Sequence, residues 1–124
     1  MKPIISHTDY NTVKSYIANC PQHLKTKEMN DLVAEMDRAD IVEDEKITAD
    51  IIKLNSSFEV EDMATKKVMK FMLTLPHLAD LKERKISVTS PLGIALLGFE
   101  KGMTIRWALP GGEKTFKIIN VINH

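Results

Sequence analysis

The chain has 124 residues, of which 44% are hydrophobic, and its 17 basic and 17 acidic residues cancel. This length allows one ordinary domain or two very small ones, and the zero net charge excludes a global field that attracts nucleic acid or anionic lipid. The single cysteine, Cys20, cannot form an internal disulfide, which is expected in a reducing cytoplasm. The N-terminal residues lack the apolar core of a signal peptide, and no apolar run is long enough to cross a bilayer. The sequence therefore predicts a cytoplasmic protein.

Acidic and basic residues are distributed unevenly along the chain. Residues 1–46 carry 6 Lys and Arg against 9 Asp and Glu, whereas residues 47–124 carry 11 against 8. The run Glu43-Asp44-Glu45 lies near the boundary and is typical of a solvated linker. We therefore predict two parts, a helical segment at residues 1–46 and a second domain at residues 47–124.

The N-terminal segment has the hydrophobic period of two amphipathic helices. Apolar residues recur every three or four positions over residues 8–20, where Ser6 or Thr8 can cap the start, and again over residues 26–39. Pro21 ends the first helix, because the residue before a proline is pushed out of the α region. Two such helices joined by a short turn predict an antiparallel hairpin. Each helix is too short to be stable alone, so its apolar stripe is expected to pack on the second domain or on another copy of the chain.

The second domain is predicted to be α+β, with about five strands and one helix. From residue 50 the hydrophobic pattern changes to strict alternation, which indicates strands. Trp107 lies on one of these strands and is expected in the core. The predicted strands and the hairpin turn between the last two fall at residues 50–61, 66–75, 86–88, 103–109, 116–122 and at Pro110-Gly111-Gly112.

One apolar helix is predicted among these strands, at residues 90–98. Ser90 is a suitable N-cap, and Pro91 falls at the first helical position, where its missing N–H is tolerated. Gly98 lies where a left-handed C-terminal cap is expected. The residues between these caps leave almost no polar face, so the helix is expected to be largely buried.

No motif in the sequence indicates catalysis. The four histidines have no metal-ligand spacing, and Cys20 has only His23 nearby, whereas a nucleophile needs both a base and an orienting group. No phosphate-binding loop is present, and we predict no cofactor, no metal site and no sequence-specific nucleic-acid binding. Lys82, Arg84 and Lys85 form a small basic patch, which is either a solvated loop or a contact for an acidic partner. A two-part binding protein is therefore the expectation.

A recognisable signature covers residues 86–98, with the sequence ISVTSPLGIALLG, followed by Gly102 and the turn at Pro110-Gly111-Gly112. It resembles the C-terminal domain of the bacterial GreA/GreB transcript-cleavage factors. The resemblance implies an FKBP-like fold, in which an antiparallel sheet carries one helix. Within that family, residues 36–39, 51–56 and 107–112 look most like Rnk, the regulator of nucleoside diphosphate kinase.

The hairpin departs from the pattern of the cleavage factors in two ways. In those factors the hairpin enters the secondary channel of RNA polymerase, and acidic residues at its tip hold a catalytic Mg²⁺. The tip of this chain, residues 19–27, has no carboxylate before Glu28, although Mg²⁺ requires oxygen ligands. A helix of about 14 residues also spans only about 20 Å. The resemblance with these departures predicts a protein that does not stimulate transcript cleavage.

What the resemblance implies is docking on RNA polymerase at the rim of the secondary channel. In the family, the residues around the Ser-Pro motif contact the polymerase, which carries over to Thr89, Ser90, Pro91 and Leu92 of this chain. The cleavage factors often have Asp or Asn where this chain has Thr89, and Ser90 and Pro91 are also explained as helix caps. Two alternatives stay open: an FKBP-like peptidyl-prolyl isomerase, and a dimeric interaction module whose copies pair through the hairpin.

Overall fold

The computed structural model describes residues 3–109 and 111–123, without the side chains of Pro91 and of residues 107–109. The helices in this part of the chain are α1 (His7–Ala18), α2 (Lys27–Arg38) and α3 (Pro91–Leu96). Its strands are β1 (Ile4–Ser6), β2 (Asp40–Val42), β3 (Ser57–Asp62), β4 (Val68–Thr74), β5 (Lys85–Ser87), β6 (Thr104–Leu109) and β7 (Gly112–Ile122). The predicted α+β class is confirmed. Trp107 lies on β6, but its side chain, which is expected in the core, lies outside the described part of the structure. Pro110 of the predicted turn also lies outside the described residues.

Helices α1 and α2 form the predicted antiparallel hairpin. The start of α1 lies beside the end of α2, where the Tyr10 hydroxyl donates to Asp37 Oδ1 at 3.3 Å and Lys14 Nζ lies 3.5 Å from the same oxygen. Of the two candidate caps for α1, Ser6 accepts a backbone N–H of the first turn, and Thr26 does the same for α2. Polar caps therefore set where both helices begin.

A two-stranded parallel sheet, which the hydrophobic pattern did not predict, closes the open end of the hairpin. β1 leads directly into α1 and β2 follows α2, and the register aligns Ile4 with Asp40. The Ile4 N–H donates to the carbonyl of Gly98, just after α3, at 2.9 Å. The base of the hairpin is thereby tied to the helix of the second domain. Strands of three residues are too short to leave a readable alternation in the sequence.

The second domain is built on a five-stranded sheet with the order β5-β4-β3-β7-β6. Neighbouring strands are antiparallel except β4 and β5, which are parallel. This pair is parallel because residues 75–84 cross between the two strands through two short 3₁₀ turns instead of a tight hairpin. The sheet is therefore mostly antiparallel, as predicted, and differs from the prediction only in the parallel edge strand β5.

Residues 50–56 do not form the strand that their alternation predicts. β3 begins only at Ser57, and Asn55 has a left-handed φ of 69°. The hydroxyl of Ser56 accepts the backbone N–H of Lys53 at 2.7 Å and stabilises the bend. Ile51 and Ile52 are nevertheless buried. The spacing of apolar residues indicates which positions are buried, and a bent segment can bury the same positions as a strand does.

Both parts of the chain contribute to one hydrophobic core. The hairpin supplies Val13, Ile17, Met29, Leu32 and Met36, all of which are buried in the same cluster as the sheet and α3. The sheet and α3 supply, among others, Phe58, Val60, Leu73, Leu92, Leu96, Phe116 and Ile118. The apolar stripe of the hairpin is therefore covered by the same chain. The division into parts at residue 46 stays a prediction, since the core runs across it.

Asp62, at the end of β3, is a buried acidic residue, only 4% exposed, whose carboxylate is held by several hydrogen bonds. Its carboxylate accepts the backbone N–H groups of Ala64 at 2.9 Å and Thr65 at 3.3 Å, and it pairs with Lys114 at 3.3 Å. These contacts, the hydrogen bond from Ala64 first, lower the pKa of Asp62 from its ordinary value. A carboxyl whose pKa is lowered by folding contributes stability above its unfolded pKa, and this contribution is lost as the pH falls through the folded pKa.

Asp62→Asn is therefore expected to lower the free energy of unfolding at neutral pH and to flatten its decline below about pH 4. Urea denaturation of the wild type and the variant between neutral pH and about pH 3 measures both effects. Asp50→Asn, at an exposed carboxyl, is the control and is expected to follow the wild type. A difference between the wild type and Asp62→Asn that does not shrink in acid would contradict this prediction.

Candidate partner-binding surface

The Ser-Pro motif lies at the turn between β5 and α3 and is held by local hydrogen bonds. The Ser87 carbonyl accepts the Ser90 N–H at 3.0 Å and the Ser90 hydroxyl at 2.6 Å. Ser90 Oγ in turn accepts the Gly93 N–H at 3.0 Å. The hydroxyl oxygens of Thr89 and Ser87 lie 2.7 Å apart. Ser90 is therefore the N-cap that the sequence predicts, and Pro91 is the first residue of α3.

Removal of the Ser90 hydroxyl is expected to destabilise the protein. Ser90→Ala deprives the Gly93 N–H and the Ser87 carbonyl of one partner each, and loss of an N-cap typically costs about 1 kcal/mol. Ser90→Thr keeps a hydroxyl and is expected to retain most of the stability. Urea denaturation of the three proteins measures the effect. A loss below about 0.5 kcal/mol in Ser90→Ala would contradict the capping role.

The four predicted contact residues differ in how far a partner can reach them. Thr89 and Ser90 are half-buried at the surface. Leu92 is only 7% exposed and packs in the core, so its position is explained by packing alone. The side chain of Pro91 lies outside the described part of the chain. The motif thus presents Thr89 and Ser90 to the solvent, with hydroxyl groups that already take part in the turn.

The end of α3 is where the motif meets the base of the hairpin. Gly98 has a φ of 85°, the left-handed conformation predicted for a C-terminal cap. A Cβ at this position would lie 2.8 Å from Pro3 Cβ and 3.0 Å from the Ile4 carbonyl oxygen. Glycine is therefore required both by the backbone conformation and by the close approach of β1. The position of the hairpin relative to α3 depends on this contact.

The tip of the hairpin is short and carries no carboxylate. Residues 22–24 form a single 3₁₀ turn, and Leu24 is 56% exposed there. The first acidic side chain after the turn is Glu28, in the first turn of α2. Near the tip, the ring of Tyr16 stacks on His77 with 5.7 Å between ring centroids, so this side of α1 rests on the second domain. A small cavity beside the turn is lined by Tyr16, Asn19, Cys20, Pro21 and Leu24.

No three His, Cys, Asp or Glu side chains within residues 3–109 and 111–123 could hold a metal ion together. Phe58 and Phe116 are each 1% exposed, so these two rings fill the core, whereas Phe71 and Phe99 are half-buried and each line an open groove. In the same part of the chain, no helix has both the length and the apolar character needed to span a membrane.

The loop before β5 contains an exposed residue that sequence reasoning missed. Lys82 and Arg84 lie there, Lys85 is the first residue of β5, and Leu81 beside them is 81% exposed. Its signal in the sequence is an apolar residue in an otherwise charged connection, outside any periodic pattern. Such a signal is weak, because a single exposed leucine is common on protein surfaces.

A short helical hairpin joined to a mostly antiparallel sheet with one capped helix is an architecture found in solved proteins. The prokaryotic transcription elongation factor GreA/GreB from Nitrosomonas europaea matches this chain with a TM-score of 0.80 and 29% identity, over 99% of both chains. Gfh1 of Thermus thermophilus matches with a TM-score of 0.54 and 17% identity, over 99% of this chain and 100% of its own. The second likeness concerns the fold alone.

Sequence comparison identifies the family within this architecture. The family model described as transcription elongation factor, GreA/GreB, C-term, matches residues 47–123. Transcription elongation factor GreA of Rhodopseudomonas palustris is 32% identical over 117 residues, which are 94% of this chain and 74% of the relative. The chain therefore belongs to the GreA/GreB family, as its Ser-Pro signature implied.

Proposed function

We propose that this protein is a Rnk-like transcription regulator, which binds RNA polymerase near the secondary channel and does not stimulate transcript cleavage. The observation that carries the proposal is a GreA/GreB domain joined to a short hairpin whose tip has no carboxylate. Docking on the polymerase places the protein in the cytoplasm. The domain supplies the docking surface, and the hairpin lacks the two properties that cleavage demands.

The length of the hairpin supports this proposal. α1 and α2 have 12 residues each. At 1.5 Å per residue, such a helix is about 18 Å long. Its inner stripe is also buried against the second domain, so the helices lie on the domain along much of their length. A hairpin of this reach can occupy the entrance of a channel but does not extend deep into it.

The chemistry of the tip supports the same conclusion. Between Asn19 and Lys27 the side chains are amides, a thiol, an imidazole, a hydroxyl, ammonium and apolar groups. Mg²⁺ prefers carboxylate and water oxygens in an octahedral arrangement, and this turn offers no carboxylate. Glu28 lies inside the first turn of α2, where it favourably faces the helix N-terminus. The tip is therefore unsuited to hold a catalytic cation.

Binding to core RNA polymerase tests the docking half of the proposal. A labelled form of this protein is expected to bind core polymerase at micromolar concentration or below, and unlabelled GreA is expected to displace it, because both use one site. Thr89→Trp is expected to weaken binding, since its bulk at this half-buried surface position obstructs the contact, while the Ser90 cap stays in place. Absence of binding, or binding that GreA does not displace, would overturn the proposal.

A variant with new carboxylates separates tip chemistry from hairpin length. Gln22→Asp/His23→Glu places two acids in the 3₁₀ turn, at exposed positions where the fold tolerates them. The short hairpin is expected to keep this variant inactive in transcript cleavage. Gain of cleavage in the variant alone would show that only the missing acids keep the wild type inactive.

A further inference from the structure

The loop between Asp80 and Lys85 is held in one conformation by its own hydrogen bonds. The two residues exchange backbone hydrogen bonds of 2.9 Å each, and the Asp80 carboxylate accepts the Lys82 N–H at 3.0 Å. Arg84 has a left-handed φ of 57°, and its N–H donates to the Leu81 carbonyl at 3.1 Å. Its carbonyl accepts the N–H of Met72 on β4 at 2.9 Å. The loop is therefore a defined projection from the edge of the sheet.

This loop presents an apolar side chain to the solvent. Leu81 is 81% exposed, the highest exposure among the large hydrophobic residues of the described part of the chain. Leu78, just before the loop, is 51% exposed. An isolated exposed leucine carries no meaning by itself. Leu81, however, lies on a fixed loop beside several cations, and an apolar side chain surrounded by charged groups is a common arrangement at the centre of a protein interface.

The charges around Leu81 are mostly positive, with Asp80 as a carboxylate directly before it. Lys70, Lys82, Arg84 and Lys85 line a groove of about 400 Å³ next to the loop, with Glu83 as its acidic member. Within the described residues, none of these four cations forms an ion pair with a carboxylate. Lys70 faces Glu59 across the β3–β4 ladder, but beyond ion-pair distance. Cations without an ion-pair partner among the described residues are available to complement an acidic surface on a partner.

We propose that the loop at residues 80–85 docks on an acidic protein surface that has a pocket for Leu81. The inference rests on the proposed function, under which that surface belongs to RNA polymerase. Exposed apolar anchors with a charged rim are typical of protein interfaces. A single-stranded nucleic acid is the less suitable partner, because its bases bind by stacking on exposed aromatic rings. The ring of Phe71 in the groove is half-buried, with its centroid 6.2 Å from that of Phe58, and Leu81 has no aromatic face.

The position of the loop makes it continuous with the Ser-Pro motif. Both lie on the chain that forms the edge strand β5, the loop before it and Thr89 just after it. At about 3.3 Å per residue, β5 extends only about 7 Å from Lys85 to Ser87, and the turn that carries Thr89 follows directly. One partner surface of ordinary size can therefore cover both. The loop extends the docking surface beyond the motif.

Two variants of the loop test the inference through binding to core RNA polymerase. Leu81→Ser is expected to weaken binding about tenfold, because it removes the anchor at a position too exposed to affect folding. Lys82→Gln/Arg84→Gln is expected to weaken binding by about the same factor and to flatten its dependence on salt. The matched controls are Val68→Ser, which is 47% exposed in the wild type, and Lys66→Gln/Lys67→Gln in the β3–β4 turn. Both controls are expected to bind as the wild type does.

The outcomes separate this inference from the proposed function. Wild-type binding with unchanged affinity in both loop variants overturns the inference and leaves the proposed function standing. An equal loss in the lysine control overturns it too, since only net charge would then matter. No binding by the wild type overturns both. Binding of a fluorescent single-stranded 20-nucleotide probe to this protein is measured as well. If the probe binds, displaces polymerase, and loses affinity in both loop variants, the partner of the loop is a nucleic acid and the inference is wrong.

Discussion

Gly93→Ala is expected to destabilise the protein by about 3 kcal/mol, a large loss for the addition of one methyl group. A Cβ at this position would lie 2.2 Å from the carbonyl oxygen of Ser87 and 3.0 Å from Ser90 Oγ. The first of these atoms is backbone and cannot rotate away. It also accepts both hydrogen bonds from Ser90, so any shift that relieves the contact disturbs the cap of α3. The glycine of the signature is thus required by close packing of the turn on the helix.

Urea denaturation of Gly93→Ala and of Gly111→Ala measures this effect against a matched control. A Cβ at Gly111 meets no atom within 4 Å, so this substitution is expected to change stability by less than about 0.5 kcal/mol. If Gly93→Ala expresses poorly, hydrogen exchange is measured on the protein that is recovered. Relative to the wild type, the largest increase in exchange rate is expected at α3. A loss below about 1 kcal/mol would contradict the packing argument.

Met36→Ala is expected to destabilise the whole chain by about 2–5 kcal/mol. Met36 is fully buried and lies on α2 in the same core cluster as residues of the sheet and α3. Removal of its side chain leaves a cavity between the hairpin and the second domain. Because one core joins the two parts, helical and sheet signals are expected to be lost in one cooperative transition.

Circular dichroism and tryptophan fluorescence, followed through the same urea titration, measure this cooperativity. Leu24→Ala, at the exposed tip, is the control and is expected to lose less than about 0.5 kcal/mol. The wild type and both variants are expected to be monomers by light scattering, since the stripe of the hairpin is covered within one chain. Separate transitions for hairpin and sheet, or a hairpin-dependent dimer, would contradict the description of a single core.

Much of the fold could be predicted because it depends on local chemistry. The caps Ser90 and Gly98 act within one turn of α3, so the residue types alone indicate them, whereas for α1 they leave both Ser6 and Thr8 as candidates. The strands β1 and β2 could not be predicted in the same way. Their conformation is set by contacts distant in sequence, such as the hydrogen bond from Ile4 to the Gly98 carbonyl.

The candidate site could be predicted only in part, for a related reason. The signature at residues 89–92 identifies the turn, and the resemblance implies a contact role for all four residues, but Leu92 is buried in the core whereas Thr89 is half-buried at the surface. The acidic run near residue 44 is typical of a solvated linker, yet the Asp44 carboxylate accepts the N–H and the hydroxyl of Thr8 in the first turn of α1. Such a partner lies 36 residues away and leaves no local pattern.

Transcript cleavage by backtracked elongation complexes is the measurement that tests the central claim most directly. RNA polymerase halted on a template with labelled RNA is incubated with this protein, with GreA, or with both. The proposed function predicts that this protein alone leaves cleavage at the intrinsic rate of the polymerase. It also predicts that excess protein lowers the cleavage stimulated by GreA, because it occupies the same site. Cleavage above the intrinsic rate with this protein alone, or stimulation by GreA that excess protein does not change, would contradict it.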